Sequence, residues 1–235
     1  MNVVVVGPAG SGKSTFVKAF LEYLRSKDYD AKAVNLDPAS DPIYEANADI
    51  REFVRAEEVM KMFRLGINGA LMKSMDLAAE HVPELILKGD FVLYDTPGQM
   101  ELFLYSKAGI KMIEDIASTP TAGVFIVDSE VASTPENFVS ILAQCAIVSL
   151  RTSIPTLTVF NKCDIADIEF SVGELKDQLV RKEGVLAELM ENLLVFIEYT
   201  TIPYRLIKIS AKKREGLDEV FSALNELFCA CGDIS

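Results

Sequence analysis

Residues Gly7 to Thr15 read "GPAGSGKST", which has the spacing G-x-x-x-x-G-K-[ST] and follows directly on four consecutive valines. Glycines so placed let the backbone curl until successive N–H groups converge on an anion, and a helix opening behind them adds the positive end of its dipole. The chemistry on offer is the holding of a polyphosphate. Ala9, Gly10, Ser11, Gly12, Lys13, Ser14 and Thr15 are its candidate ligands, with the Lys13 ammonium set against the outer phosphates and the Ser14 hydroxyl offered to Mg2+. A chance glycine turn would need neither the strand before it nor the helix after it.

A second group stands in "YDTPGQME", residues 94–101. Asp95 ends an apolar run and so emerges at the carboxyl edge of a sheet, where open α/β folds place ligands. A carboxylate there suits a metal held through water, and the Gln99 amide suits the orientation of an attacking water. Gln99 could instead simply start a helix, and Glu101 reads as a first-turn carboxylate complementing that helix's dipole. Two later stretches, "FNKCD" at 160–164 and "ISAKK" at 209–213, resemble the guanine-recognition elements of P-loop GTPases. Guanine presents two N–H donors that the oxygens of Asp164 accept together. Asn161 and the Ala211 N–H, with Ser210 beside them, are placed for the purine's acceptors, and Lys162 lays its aliphatic stem along the base. Adenine would leave the carboxylate unpaired at a cost of about 1–3 kcal/mol, so GTP is expected over ATP.

Positioning these groups falls to short β-branched and aromatic runs, "VVVV", "KAVNL", "FVLYD", "GVFIVD", "TLTVF" and "RLIKIS", which alternate with longer segments of helical period. That alternation predicts a mainly parallel sheet covered by helices on both faces. The connection over residues 38–88 is longer than one crossover helix requires. Within it Phe53, Ala56, Met60 and Phe63 form one helical stripe and Leu71, Met75, Ala78 and Val82 another, with "GING" at 66–69 marking the join.

Together "NLDPA" at 35–39, "ADIRE" at 48–52, "GINGAL" at 66–71 and "DTPGQME" at 95–101 resemble the GPN-loop GTPases in content and order, over nearly the whole chain. The resemblance implies one P-loop GTPase domain over 1–235, an α/β/α sandwich with a helical insertion at about 50–85 and extra helices at about 165–205. It implies Mg2+ as cofactor, GTP and GDP as substrate and product, and a homodimer in which each Asn68 reaches toward the other subunit's nucleotide. The catalytic set becomes Lys13, Asp37, Asn68 and Gln99, with Asp37 positioning water or the metal's shell, and Ser14 and Asp95 at the metal. Ile67 stands where the family has proline, leaving an N–H that proline would remove. Bland alternatives are an Asx turn at Asp37 and a helix cap at Asn68 for a helix opening near Gly69. Asp49 and Arg51 could be surface charges in a switch segment, and Asp128 is equally a cap for the following helix or a site residue. Eukaryotic members are associated with RNA polymerase assembly, which implies a protein client. The rival functions are a P-loop kinase and a nucleotide-dependent binding module with negligible hydrolysis.

Composition narrows the remaining classes. A net charge of −12 and a pI near 4.6 give a field that repels phosphate backbones and anionic lipid, so no nucleic-acid or membrane partner is expected. No apolar run approaches the roughly 18–20 residues of a membrane span. The chain opens on "NVVVV" without a basic prelude, and the cysteines Cys145, Cys163, Cys229 and Cys231 do not form a disulfide pattern, so a cytoplasmic location is expected. His81, the sole histidine, reads as a packing residue.

Overall fold

Valine side chains at positions 3–6 alternate between two apolar clusters: Val3 and Val5 point into one, Val4 and Val6 into the other. A strand buried on both faces needs no polar alternation, which is why it reads as an unbroken apolar run. The computed structural model describes residues 1–168, 184, 188–190, 192–193, 195 and 206–232. Its sheet contains β1 (Asn2–Val6), β2 (Ala31–Asn35), β3 (Ala48–Asp49), β4 (Phe91–Asp95), β5 (Thr121–Asp128), β6 (Thr156–Asn161) and β7 (Ile207–Lys208). All pair in parallel in the order β3-β2-β4-β1-β5-β6-β7. Because β1 lies between β4 and β5, the loops leaving these three strands open into the crevice at their carboxyl ends.

Helices cover both faces. On one side lie α1 (Lys13–Ser26) and the last helix, Leu217–Gly232, through Phe16, Phe20, Leu24, Val220 and Leu224. On the other lie α3 (Ile67–Ala78), α4 (Met100–Tyr105), α5 (Lys107–Ile116) and α6 (Pro135–Thr152). Met75, Phe103, Ile113 and Phe138 supply their side of that core. Chain reversals are capped by polar side chains: Ser106 Oγ accepts from Gly109 N, and Thr134 Oγ1 from Asn137 N ahead of Pro135.

The insertion departs from its expected detail. Helix α2 (Ala56–Phe63) buries Ala56 and Val59, whereas Phe53 and Phe63, half of the expected stripe, are 40% and 44% exposed. Periodicity found the helix but not the face that is covered. The join between α2 and α3 lies earlier than "GING": α2 ends in left-handed Arg64, and α3 already starts at Ile67. Strand β3 was not expected. It exists because Val34 and Asn35 pair with Ala48 and Asp49, and nothing in an Ala-Asp dipeptide signals a strand. Extra helices expected at about 165–205 lie mostly outside the described residues.

Candidate functional site

Between β1 and α1 the cradle is shaped by contacts that exclude side chains. Gly12 has φ 91°, and a Cβ there would meet Asn161 Nδ2 at 2.4 Å; a Cβ on Gly7 would meet the Ile126 carbonyl oxygen at 2.2 Å. Lys13 folds back, its Nζ donating to the carbonyls of Gly7 at 2.8 Å and Pro8 at 3.1 Å. Burial lowers its pKa, against the opposing pull of Asp95, Asp37 and Glu101. Ala9 and Gly10 sit exposed at the tip, Ser11 is buried, and Ser14 and Thr15 are half-buried in the first turn of α1.

Asp95 ends β4 facing this cradle and is buried. Burial pushes its carboxyl up to about 6, while Ser14, Tyr44 and Lys13 pull the other way. Its Oδ2 accepts from the Tyr44 hydroxyl at 3.1 Å, whereas Oδ1 is buried and completes no hydrogen bond. A desolvated carboxylate oxygen without a partner, beside a serine hydroxyl, is the donor set for a hydrated divalent cation, and Mg2+ bound this way keeps several waters. Ser14 and Asp95 therefore fit the metal expected there. Among the described residues no group of three or more His, Cys, Asp or Glu comes together as a metal cage.

At the base end the motif residues are found, with different partners. Asn161, 2% exposed, donates from Nδ2 to the Ser11 carbonyl at 2.9 Å and accepts at Oδ1 from Ala211 N at 3.0 Å. Neither the Asn161 carbonyl nor the Ala211 N–H is turned to a base; they are bonded to each other. Asp164 keeps one oxygen in a 2.7 Å bond from the Ser210 hydroxyl, which holds its carboxyl below the usual range. Lys162 adopts φ 66° and reaches Asp128 Oδ2 at 2.6 Å, which fixes its stem. Asp128 also accepts from Glu130 N, and the cap of α6 is Thr134, not Asp128.

Two of the four catalytic candidates, Asp37 and Gln99, line a cleft of about 170 Å³ together with Ala39, Gly98, Leu71 and Met75 among others, while Lys13 belongs to the cradle and Asn68 is not part of the lining. Asp37 Oδ1 accepts from Ala39 N, so the Asx turn does form, and its second oxygen is left for other partners. Gln99 is exposed, and its carbonyl rather than its amide starts α4. Helix α2 is tied to the same loop by Ala56 N to the Pro38 carbonyl. Asp49 and Arg51 are not loose surface charges: they form a forked ion pair, with Arg51 also reaching Asp41 and Asp49 accepting from Asn35 Nδ2. Asn68 is exposed one residue inside α3, whose N-cap is Gly66, so it does not cap that helix. His81 stacks on Phe53 with ring centroids 4.6 Å apart.

Similarity to known proteins agrees with this arrangement. A family model described as "Conserved hypothetical ATP binding protein" matches residues 5–230. A GPN-loop GTPase of Pyrococcus abyssi is 32% identical over the full length of both chains, and one of Schizosaccharomyces pombe is 32% identical over 94% of this chain and 67% of its own. The crystal structure of the apo GTPase from Pyrococcus abyssi superposes with a TM-score of 0.85 at 31% identity, covering 98% of each chain. The chain belongs to the GPN-loop GTPase family. The family model's description speaks of ATP and the relatives' names of GTP. Within this GPN-loop GTPase, Asp164 stands at the end expected to read the base. Ile67 occupies the first position of α3, where an N–H has no intrahelical acceptor in any case. Tyr44 was missed from the sequence, since it lies in a stretch without helix, strand or motif.

Proposed function

We propose that this chain binds GTP with Mg2+ and hydrolyses it to GDP and phosphate as a homodimer in which Asn68 of one subunit faces the nucleotide of the other. The observation that carries the reading is the double tie made by Asn161: it joins the phosphate cradle at Ser11 to the base loop at Ala211. Phosphate and base elements thus form one preorganised surface, with the second oxygen of Asp164 presented to guanine's donors. Lys13 exchanges its two loop carbonyls for phosphate oxygens. Asp37 and Gln99, which both line the cleft, orient the attacking water, and the Asn68 amide of the second subunit supplies a neutral donor to the charge that develops. Bound between Ser14 and Asp95, Mg2+ would neutralise charge on the β and γ phosphates.

The loops at 37–40 and 96–99 both border the cleft and the insertion, so loss of phosphate is read out as a change in the dimer and in a client's docking surface. Assembly or maturation of a protein client in the cytoplasm is the role this supports. No described helix is long and apolar enough to cross a membrane. Steady-state hydrolysis of GTP and ATP tests the reading, together with Asn68→Ala and Gln99→Ala. Each substitution is expected to lower kcat about tenfold or more, and GTP to be turned over in preference to ATP. Equal use of ATP, or two variants as active as the parent, would refute it.

A further inference from the structure

The Asp95 carboxylate is divided unequally: one oxygen has a protein partner and the other has none. The donor to the first is Tyr44, which comes from 51 residues away and lies in a segment with neither helix nor strand. A surface loop would ordinarily leave such a tyrosine in water. Here the residue is 8% exposed and its ring joins the apolar cluster that also holds Phe16, Phe20 and Leu21 of α1.

We propose that Tyr44 is a positioning residue for the metal: by donating to Oδ2 it fixes the rotation of the Asp95 carboxylate and leaves the unpartnered Oδ1 as the oxygen offered to Mg2+. This rests on the assignment of Ser14 and Asp95 to the metal made above. A carboxylate without such a donor can rotate about its last torsion and share its charge between both oxygens. Groups that orient a ligand in this way commonly account for 10- to 100-fold in metal affinity. The same bond ties the segment to the site at Tyr44, while Arg51 holds it at Asp41 and Asp49. Metal occupancy is thereby linked to the loop that carries the exposed Ile43.

The test uses the full-length protein loaded with a fluorescent GDP analogue, with retention measured as Mg2+ is stepped from EDTA to millimolar. The parent should show a Mg2+ midpoint, and Tyr44→Phe, which keeps the ring, should shift that midpoint upward about tenfold while affinity in EDTA stays within twofold. A purely structural role would weaken EDTA and Mg2+ binding together, and that result overturns the proposal. Tyr44→Ala also removes the ring and serves to show what general loosening looks like: both affinities fall with the melting temperature. If the parent responds to Mg2+ and Tyr44→Phe has the same midpoint, the role of Tyr44 alone is wrong. If the parent's retention ignores Mg2+, the metal assignment itself fails and this inference with it.

Discussion

The nucleotide cradle and the α2–α3 insertion are built on opposite plans. Around the cradle, hydrogen bonds join residues far apart in the chain: Asn161 to Ser11, Ala211 to Asn161, and Thr96 Oγ1 to the Val5 carbonyl at 2.8 Å. In the insertion, α3 enters the core through Met75 and Ala78, whereas α2 buries only Ala56 and Val59 and is tied to the site by Ala56 N on the Pro38 carbonyl. The insertion leaves Phe53, Met62, Phe63, Ile67 and Met72 exposed. A site that must grip a charged ligand without rearranging is over-determined, whereas the outer face of α2 leaves apolar side chains in water.

The largest expected effect strikes the over-determined side. Gly12→Ala forces a left-handed residue to carry a Cβ, at about 1–2 kcal/mol, and drives that Cβ into Asn161 Nδ2, breaking a buried bond worth about 1–3 kcal/mol. About 3 kcal/mol and a loss of about 100-fold in GTP affinity are expected, measurable by denaturant melts and calorimetry. Because Asn161 joins both ends of the site, affinity for guanosine alone should fall as well as affinity for the triphosphate. A variant that loses only phosphate binding would show that the two ends are independent and break the comparison.

Asp95 sets stability against function within the same region. Its carboxyl is raised from 3.8 to about 6, so the folded state holds a proton more tightly than the unfolded chain. The stabilisation from that proton is complete below about pH 4 and is lost as pH rises through about 6. In EDTA at neutral pH, Asp95→Asn should therefore be more stable than the parent by on the order of 2 kcal/mol, the advantage shrinking as pH falls from about 6 to about 4. With saturating Mg2+ and GDP the order should reverse, because only the parent gains the full binding free energy. Melting curves across pH, with and without metal, decide it; an advantage independent of pH would mean that burial of Asp95 has another origin.

Sequence and structure agree where the signal is local and differ where it depends on distant partners. The six apolar runs became strands because buried parallel strands need little else, and "GPAGSGKST" folded where its glycines require. The chemistry at "FNKCD" was recognisable as a motif, but the partners of Asn161 were not, since its bond to Ser11 spans 150 residues. Tyr44 has no periodicity or spacing that could point to Asp95. The stripe that began at Phe53 located a helix, but Phe53 precedes α2 and Phe63 ends it exposed, because a period alone says nothing about where a helix starts or which of its faces is buried. Asn68 was expected just before a helix and lies inside it, because Gly66 in extended conformation supplies the cap without a side chain.

That last detail gives the smallest effect, on the lightly held side. Gly66 has φ −72° and ψ 170°, the extended conformation that a residue preceding proline must adopt, and Ile67 is the first residue of α3. The backbone is thus already suited to proline although the sequence carries isoleucine. Ile67→Pro should remove no helical hydrogen bond, reduce the freedom of the unfolded chain, and replace a side chain that is 71% exposed. A gain of about 0.4–1 kcal/mol is expected in a denaturant melt of the protein without nucleotide. Destabilisation would mean that the Ile67 N–H or side chain already has a structural partner, and the insertion would then be less loosely built than its exposed surface implies. If the variant is stabilised yet dimerises more weakly by sedimentation, the exposed isoleucine belongs to the contact between subunits rather than to the fold.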